Sequence, residues 1–173
     1  MTPPWHAEDL GEPFNEMREW RRHGSADDIQ AEVLLRLLAL WRGRCHRDGR
    51  LPARSDFSAR DLMALGGIVS LIDVERQPMR FHMRLIGSHL THSLGRDNSG
   101  RYADDIYGPE VYPLIFDTYR QCVETRLPVW TSGRLRHTEK DFMRFESIDL
   151  PLARDGQIVD MILKGTSLED LET

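Results

Sequence analysis

A chain of 173 residues, 40% apolar and 29% charged, has room for one domain with a buried core and is short for two. Its formal charge of -5 opposes general polyanion binding, so no nucleic-acid partner is expected, and two cysteines are too few for a disulfide framework or a four-thiolate metal site. No apolar run approaches the ~20 residues of a membrane span, and the polar start from Met1 to Asp9 lacks an export signal's apolar segment; a cytoplasmic protein with reduced Cys45 and Cys122 is expected.

Residues 1–26 are acidic, interrupted by Pro3, Pro4 and Pro13, and read as an N-terminal arm with the spacing for a short helix through Phe14, Met17 and Trp20. Ser25 ahead of Ala26, Asp27 and Asp28 reads as a helix N-cap with carboxylates in the first turn. The helix is placed over 27–50, because Ile29, Val33, Leu37, Trp41 and Cys45 recur every four residues with Leu34 and Leu38 beside them. Leu35 and Leu40 widen that stripe, and a helix apolar over so much of its circumference usually has a second face to bury, so it reads either as a core helix of a monomer or as the expected homodimer contact.

The remaining elements belong to a domain over 51–168, with a tail at 169–173. Pro52 ends the helix, and Ser58 with Asp61 caps a short one. Strands follow at 68–74 and 81–85, joined by a turn from Glu75 to Met79; Phe81, Met83 and Leu85 alternate with His82 and Arg84. Residues 88–107 suit short helices and loops, a longer helix follows Pro109 until Pro128, and strands at 129–135, 142–152 and 158–166 close the chain, with Asp155-Gly156 as the last turn. Antiparallel strands on either side of a helical block make an α+β pattern.

This order of elements, together with Leu51-Pro-Ala-Arg-Ser-Asp-Phe, Leu71-Ile-Asp-Val-Glu, Arg80-Phe-His-Met-Arg-Leu-Ile-Gly and Leu94-Gly-Arg-Asp-Asn-Ser-Gly-Arg, resembles a bacterial, mainly alphaproteobacterial, PAS family over roughly residues 30–167. The resemblance implies a PAS fold, a five-stranded antiparallel sheet of spatial order two-one-five-four-three with helices on one face, here carrying an N-terminal helical extension. It also implies a non-catalytic sensory or regulatory module in bacterial signalling that binds a small molecule in its core or docks a signalling partner. Fold-level likeness names no ligand.

The chemistry-bearing residues leave three readings open. In the first, a pocket between sheet and helices is lined by Phe81, Met83 and Leu85 from the sheet and Leu114, Ile115 and Tyr119 from the helix after Pro109. Ile148, Leu150 and Leu152 define one face of the 142–152 strand with Arg144 and Glu146 on it. Either a bulge shifts the register, the strand end is exposed, or a polar pair turns inward and Arg144 beside Tyr119 or Trp130 meets an anionic ligand. In the second reading His82 or His89, with Asp73 or Asp104, works as an acid-base pair in a wet cavity of a small α+β enzyme. In the third the core is dry and the domain only docks proteins. His82, His89 and His92 lack metal-ligand spacing, the reactive cysteine motif of flavin-binding PAS domains is absent, and no histidine lies on the 110–126 helix; no cofactor is assigned and no metal site is expected.

Overall fold

The computed structural model describes residues 17–136 and 142–170. Residues 1–16 of the arm, Phe14 among them, and residues 171–173 of the tail lie outside the described residues.

Met17–His23, expected as part of a short helix, is instead a strand, β1. Its residues alternate between the two faces of a sheet: Trp20 stacks on Phe145 with centroids 5.7 Å apart, and Glu19 reaches Arg134 on the other side. Ser25 caps as expected, but only one 3-10 turn, Ala26–Asp28. The chain then runs extended through Ile29, and the helix α1 spans Glu32–Arg44. It begins later than expected, and Ala31, its N-cap, has no side-chain cap of its own. The Glu146 carboxylate, remote in sequence, accepts the main-chain N–H groups of Gln30 and Ala31 at 2.9 and 3.0 Å. Leu34, Leu37, Leu38 and Trp41, spaced as one helical face, are buried. Each such side chain contributes about 1.5–3 kcal/mol of apolar burial.

Ser58 caps the short helix α2, Ala59–Met63, through a capping box with Asp61. The strands β2, Val69–Glu75, and β3, Arg80–Leu85, form the expected hairpin, and α3, Ser88–Leu94, and α4, Ala103–Ile106, fill the irregular region. Helix α5, Tyr112–Thr125, buries Ile115, Thr118, Tyr119, Cys122 and Val123; it ends at Arg126, whose left-handed backbone (φ 58°) turns its N–H back to Cys122. Strands β4, Val129–Arg136, β5, Phe142–Leu152, and β6, Met161–Asp170, complete the chain.

All six strands form one antiparallel sheet of order β1-β4-β5-β6-β2-β3. Without β1 this is the five-stranded order expected, and β1 adds a sixth strand at the β4 edge. Directly paired residues share a face, so the register sorts side chains into two layers. One layer meets α5: Phe81 of β3 lies 5.1 Å from the Tyr119 ring, and Arg22 of β1 bonds Asp117 and Gln121. The other meets α1, which lies so close that a Cβ on Gly165 would come within 2.5 Å of Leu37 Cδ2 and 3.0 Å of Leu34 Cδ2. The central strands are therefore covered on both sides, and β5 is buried continuously from Phe145 to Leu152.

Candidate functional site

On the α5 side of the sheet the central strands carry polar rather than apolar residues. Asp149 of β5 pairs with Lys164 of β6, and Ser147 with both Thr166 of β6 and Thr131 of β4. Lys164 Nζ donates to Asp149 Oδ1 at 2.9 Å and to Ser147 Oγ at 3.3 Å, and the Ser147 and Thr131 hydroxyls bond at 2.7 Å. The Asp149 side chain is fully buried and that of Lys164 is 11% exposed. Helix α5 closes the cluster from above: the Tyr119 ring lies 5.2 Å from Lys164 Nζ, and Cys122 Sγ donates to the Asp149 carbonyl at 3.6 Å.

Burying an ion pair in a core costs several kcal/mol of desolvation per ion before attraction returns any of it. The cost is visible in the titration of the cluster. Burial pushes the Asp149 carboxyl above its ordinary value, with Lys164 opposing the shift. Burial lifts the Tyr119 phenol well above its usual range and, with Asp149 adding to it, pushes Tyr107 up to about 12; the hydroxyl end of Tyr107 is enclosed although the residue as a whole is half-buried. The Cys122 thiol is raised well above its ordinary value by burial first and Asp149 second, so it is a packed thiol and not a thiolate nucleophile. Among the described residues, Tyr119 Oη, Asp149 Oδ2 and Thr166 Oγ1 are buried without a hydrogen-bond partner from the protein, as are Trp20 Nε1, Arg126 Nε and Trp130 Nε1 outside the cluster. Such groups cost about 1–3 kcal/mol each when nothing satisfies them.

The pocket residues expected from sequence divide between the layers. Phe81, Met83, Ile115 and Tyr119 are buried, with Phe81 and Tyr119 in edge contact, while Leu114 is half-buried. Leu85 does not join them: a register shift between Leu71 and Ile72 makes Arg84 the extra residue, pairs Leu85 with Leu71, and leaves Leu85 48% exposed. Trp130 and Arg144 lie on the α1 side, not beside Tyr119, because β5 runs in unbroken register with both neighbours and pairs Trp130 with Ile148 and Arg144 with Arg134. No bulge displaces the 142–152 strand. Arg144 is 43% exposed, at 3.5 Å from Glu146 and 3.8 Å from Glu169, so its charge is balanced at the surface and does not enter the interior. The carboxylate that turns into the protein on that side is Glu146, and it holds α1.

Sequence reasoning missed Asp149, Lys164, Ser147, Thr131 and Thr166. A signal was present in β5, where Ser147 and Asp149 interrupt apolar residues at the period that puts them on one face. Lys164 is one of only two lysines in an arginine-rich chain.

The histidine-aspartate contact required by the enzyme reading forms, but elsewhere. His82 Nδ1 lies 3.1 Å from Asp73 Oδ2, which also accepts from Arg84 Nε at 2.9 Å. Asp73 pairs with Met161, which pairs with Leu152, so the contact sits on the face away from α5. There His82 packs on Tyr102, whose hydroxyl donates to Glu75 at 2.7 Å and whose ring carries Arg80 at 3.8 Å. The pair is enclosed in a surface ion network, and His89 and His92 are exposed. Among the described residues no group of three or more histidine, cysteine or acidic side chains is placed to hold a metal, and no helix is long and apolar enough to cross a membrane.

A groove of about 600 Å³ runs along the outer side of α1, lined by Asp27, Ile29, Leu35, Leu38, Ala39 and Arg42. Leu35 in its lining is 39% exposed.

The family model described as a PAS domain matches residues 29–165 of the chain. No curated protein and no solved structure matches it.

Proposed function

The chain belongs to the PAS domain family, and on that footing we propose that it is a non-catalytic sensory module of bacterial signalling that takes a small molecule between its sheet and α5. PAS domains are sensory and interaction modules as a class. The observation that carries the ligand reading is the polar cluster around Asp149 and Lys164, buried where a core built only for stability would be apolar. Replacing a buried ion pair by well-packed apolar residues is often neutral or stabilising. Polar groups kept in such a place, three of them with an atom left unbonded, favour recognition over scaffolding.

The test is the mass of protein purified from its native cells, recorded under native conditions and again after denaturation, beside an absorption spectrum. A retained compound lost on denaturation is the expected result. Repeated preparations with the mass of protein alone would sink the ligand reading.

A second reading, docking, rests on the α1 groove. Asp27 lies in the turn ahead of α1 and Arg42 in its last turn, and both line the groove with Leu35, so two copies packed about a two-fold axis with α1 antiparallel would set each Arg42 toward the other copy's Asp27. This complementarity favours a homodimer over a partner of unrelated charge. Leu35→Glu should convert a dimer to a monomer by light scattering. A monomeric parent, or an unchanged dimer mass in the variant, removes the reading.

A further inference from the structure

We propose that the outer edge of β4 is a docking site for an extended segment of another protein with the pattern acid-aromatic-x-arginine, and that β1 fills this site as a displaceable stand-in. The proposal is independent of what the interior binds.

The body of the domain makes the site. β1 lies ahead of the family match, which begins at residue 29, and without it the sheet ends at β4, whose main chain from Trp130 to Leu135 takes β1 as its partner. An edge left open is a template for an added strand. Side chains give this edge a code. Gly133 has no side chain where Trp20 pairs with it, so the Trp20 ring reaches across to Phe145 at 5.7 Å; a Cβ at Gly133 would come within 2.7 Å of Phe145 Cε1 and 1.9 Å of the Glu19 carbonyl oxygen. Two residues on, on the same face, Arg22 donates to Asp117 and Gln121 of α5. On the opposite face Arg134 stands 3.7 Å from Glu19. A glycine socket for a ring, a carboxylate for a guanidinium and a guanidinium for a carboxylate thus follow one edge, and Glu19-Trp20-Arg21-Arg22 matches them.

β1 is an imperfect occupant. None of its described side chains is fully buried. Its ion pairs with Asp117 and Arg134 are well exposed to solvent, and pairs of that kind contribute little. The Trp20 Nε1 is buried with no hydrogen-bond partner among the described residues, a cost that a phenyl ring in the same socket does not carry. β1 therefore holds the edge through its tether, which keeps it at high local concentration, more than through its fit. The β1 of a second copy carries the same flaw, so exchange between copies gains nothing, whereas a foreign strand with phenylalanine in the socket does.

The test adds fluorescent peptides to the full chain and follows their anisotropy, one with the β1 sequence Met-Arg-Glu-Trp-Arg-Arg-His and one with phenylalanine in place of its tryptophan. Both should bind saturably, the phenylalanine peptide roughly three- to tenfold tighter. Arg22→Glu sets a carboxylate against Asp117 and loosens β1, so in the chain it should raise peptide affinity roughly two- to fivefold, while glutamate at the matching position of the peptide should lower it by a similar factor. Opposite signs for the same change are the signature of competition for one edge. Glu19→Cys with Arg134→Cys, at directly paired positions, locks β1 in place when oxidised and should abolish binding until the bond is reduced. No binding to the Arg22→Glu chain, a tryptophan peptide that binds as tightly as the phenylalanine one, or binding that survives the lock overturns the proposal. So does a covalent dimer from mixed Glu19→Cys and Arg134→Cys chains, which gives the edge to a second copy.

Discussion

Glu146→Ala should loosen α1 while leaving the rest of the sheet in place. Its Oε2 accepts two main-chain N–H groups, from Gln30 at 2.9 Å and Ala31 at 3.0 Å, ahead of a helix with no cap of its own. A hydrogen bond to a charged group contributes about 1.5–3 kcal/mol, but Gln30 is exposed and water replaces part of that pair. The expected cost is roughly 2–3 kcal/mol, a fall in Tm of roughly 5–10 °C. Glu146→Gln keeps an acceptor in place and forfeits only the attraction of the negative charge for the helix N-terminus, about 0.3–1 kcal/mol. Urea unfolding gives both values. Hydrogen exchange at Leu34 and Leu35, whose amides bond to the Ala31 carbonyl at 3.0 and 3.3 Å, localises the effect. Equal costs for the two variants, or a cost of Glu146→Ala under about 0.5 kcal/mol, would refute the tertiary cap.

Lys164→Met removes the cation paired with the fully buried Asp149 and should cost about 3–5 kcal/mol by urea unfolding, with Asp149→Asn/Lys164→Met recovering at least half; no recovery would contradict the pairing. The Asp149 carboxyl holds its proton more tightly when folded than at its ordinary value of 3.8, so the native state binds more protons above that pH. Stability should therefore fall as pH rises from about 3.8 through the raised value, and Asp149→Asn should remove that slope from a pH series of unfolding free energies. Gly165→Val drives methyls into Leu37 and Leu34 and should cost about 1–3 kcal/mol; a variant as stable as the parent would mean that α1 does not seat on β6. Lys164→Met and Glu146→Gln, on opposite faces of the sheet, should be non-additive by more than about 0.5 kcal/mol in a double-mutant cycle if β5 links the two layers.

Most elements were legible because their signals are local. The Ser58 and Asp61 capping box, the β2-β3 hairpin, the Asp155-Gly156 turn and the apolar stripe of α5 all depend on neighbours within a few residues. The errors fall where a distant residue decides. Met17 to His23 becomes a strand because the β4 edge offers main-chain partners from Trp130 to Leu135, and nothing within the arm announces that edge. Helix α1 starts at Glu32 because Glu146 anchors the segment before it. Leu85 turns outward through a one-residue shift opposite Leu71, which alternation alone cannot reveal. The site was hardest to read because pocket residues were sought among aromatic and aliphatic side chains, whereas the distinctive feature of this interior is polarity at Ser147, Asp149, Lys164 and Thr166.

The strand β5 gives that polarity a consequence beyond binding. Successive residues of a strand point to opposite faces: Glu146 turns to α1, Ser147 to the hydroxyl row, Ile148 to the α1 side beside Gly165, and Asp149 to Lys164. The main chain that positions the interior acid thus also positions the carboxylate that holds the start of α1, with only Ser147 and Ile148 between them. A ligand bound as proposed beside Asp149 would press this segment against two tightly packed layers, and a packed interior transmits such a shift rather than absorbing it. The segment Glu146 holds leads into Asp27 and Ile29, which line the α1 groove. The interior cluster and the segment that leads to the groove are thus joined through four consecutive residues, Glu146 to Asp149, a physical route by which occupancy of one would alter docking at the other.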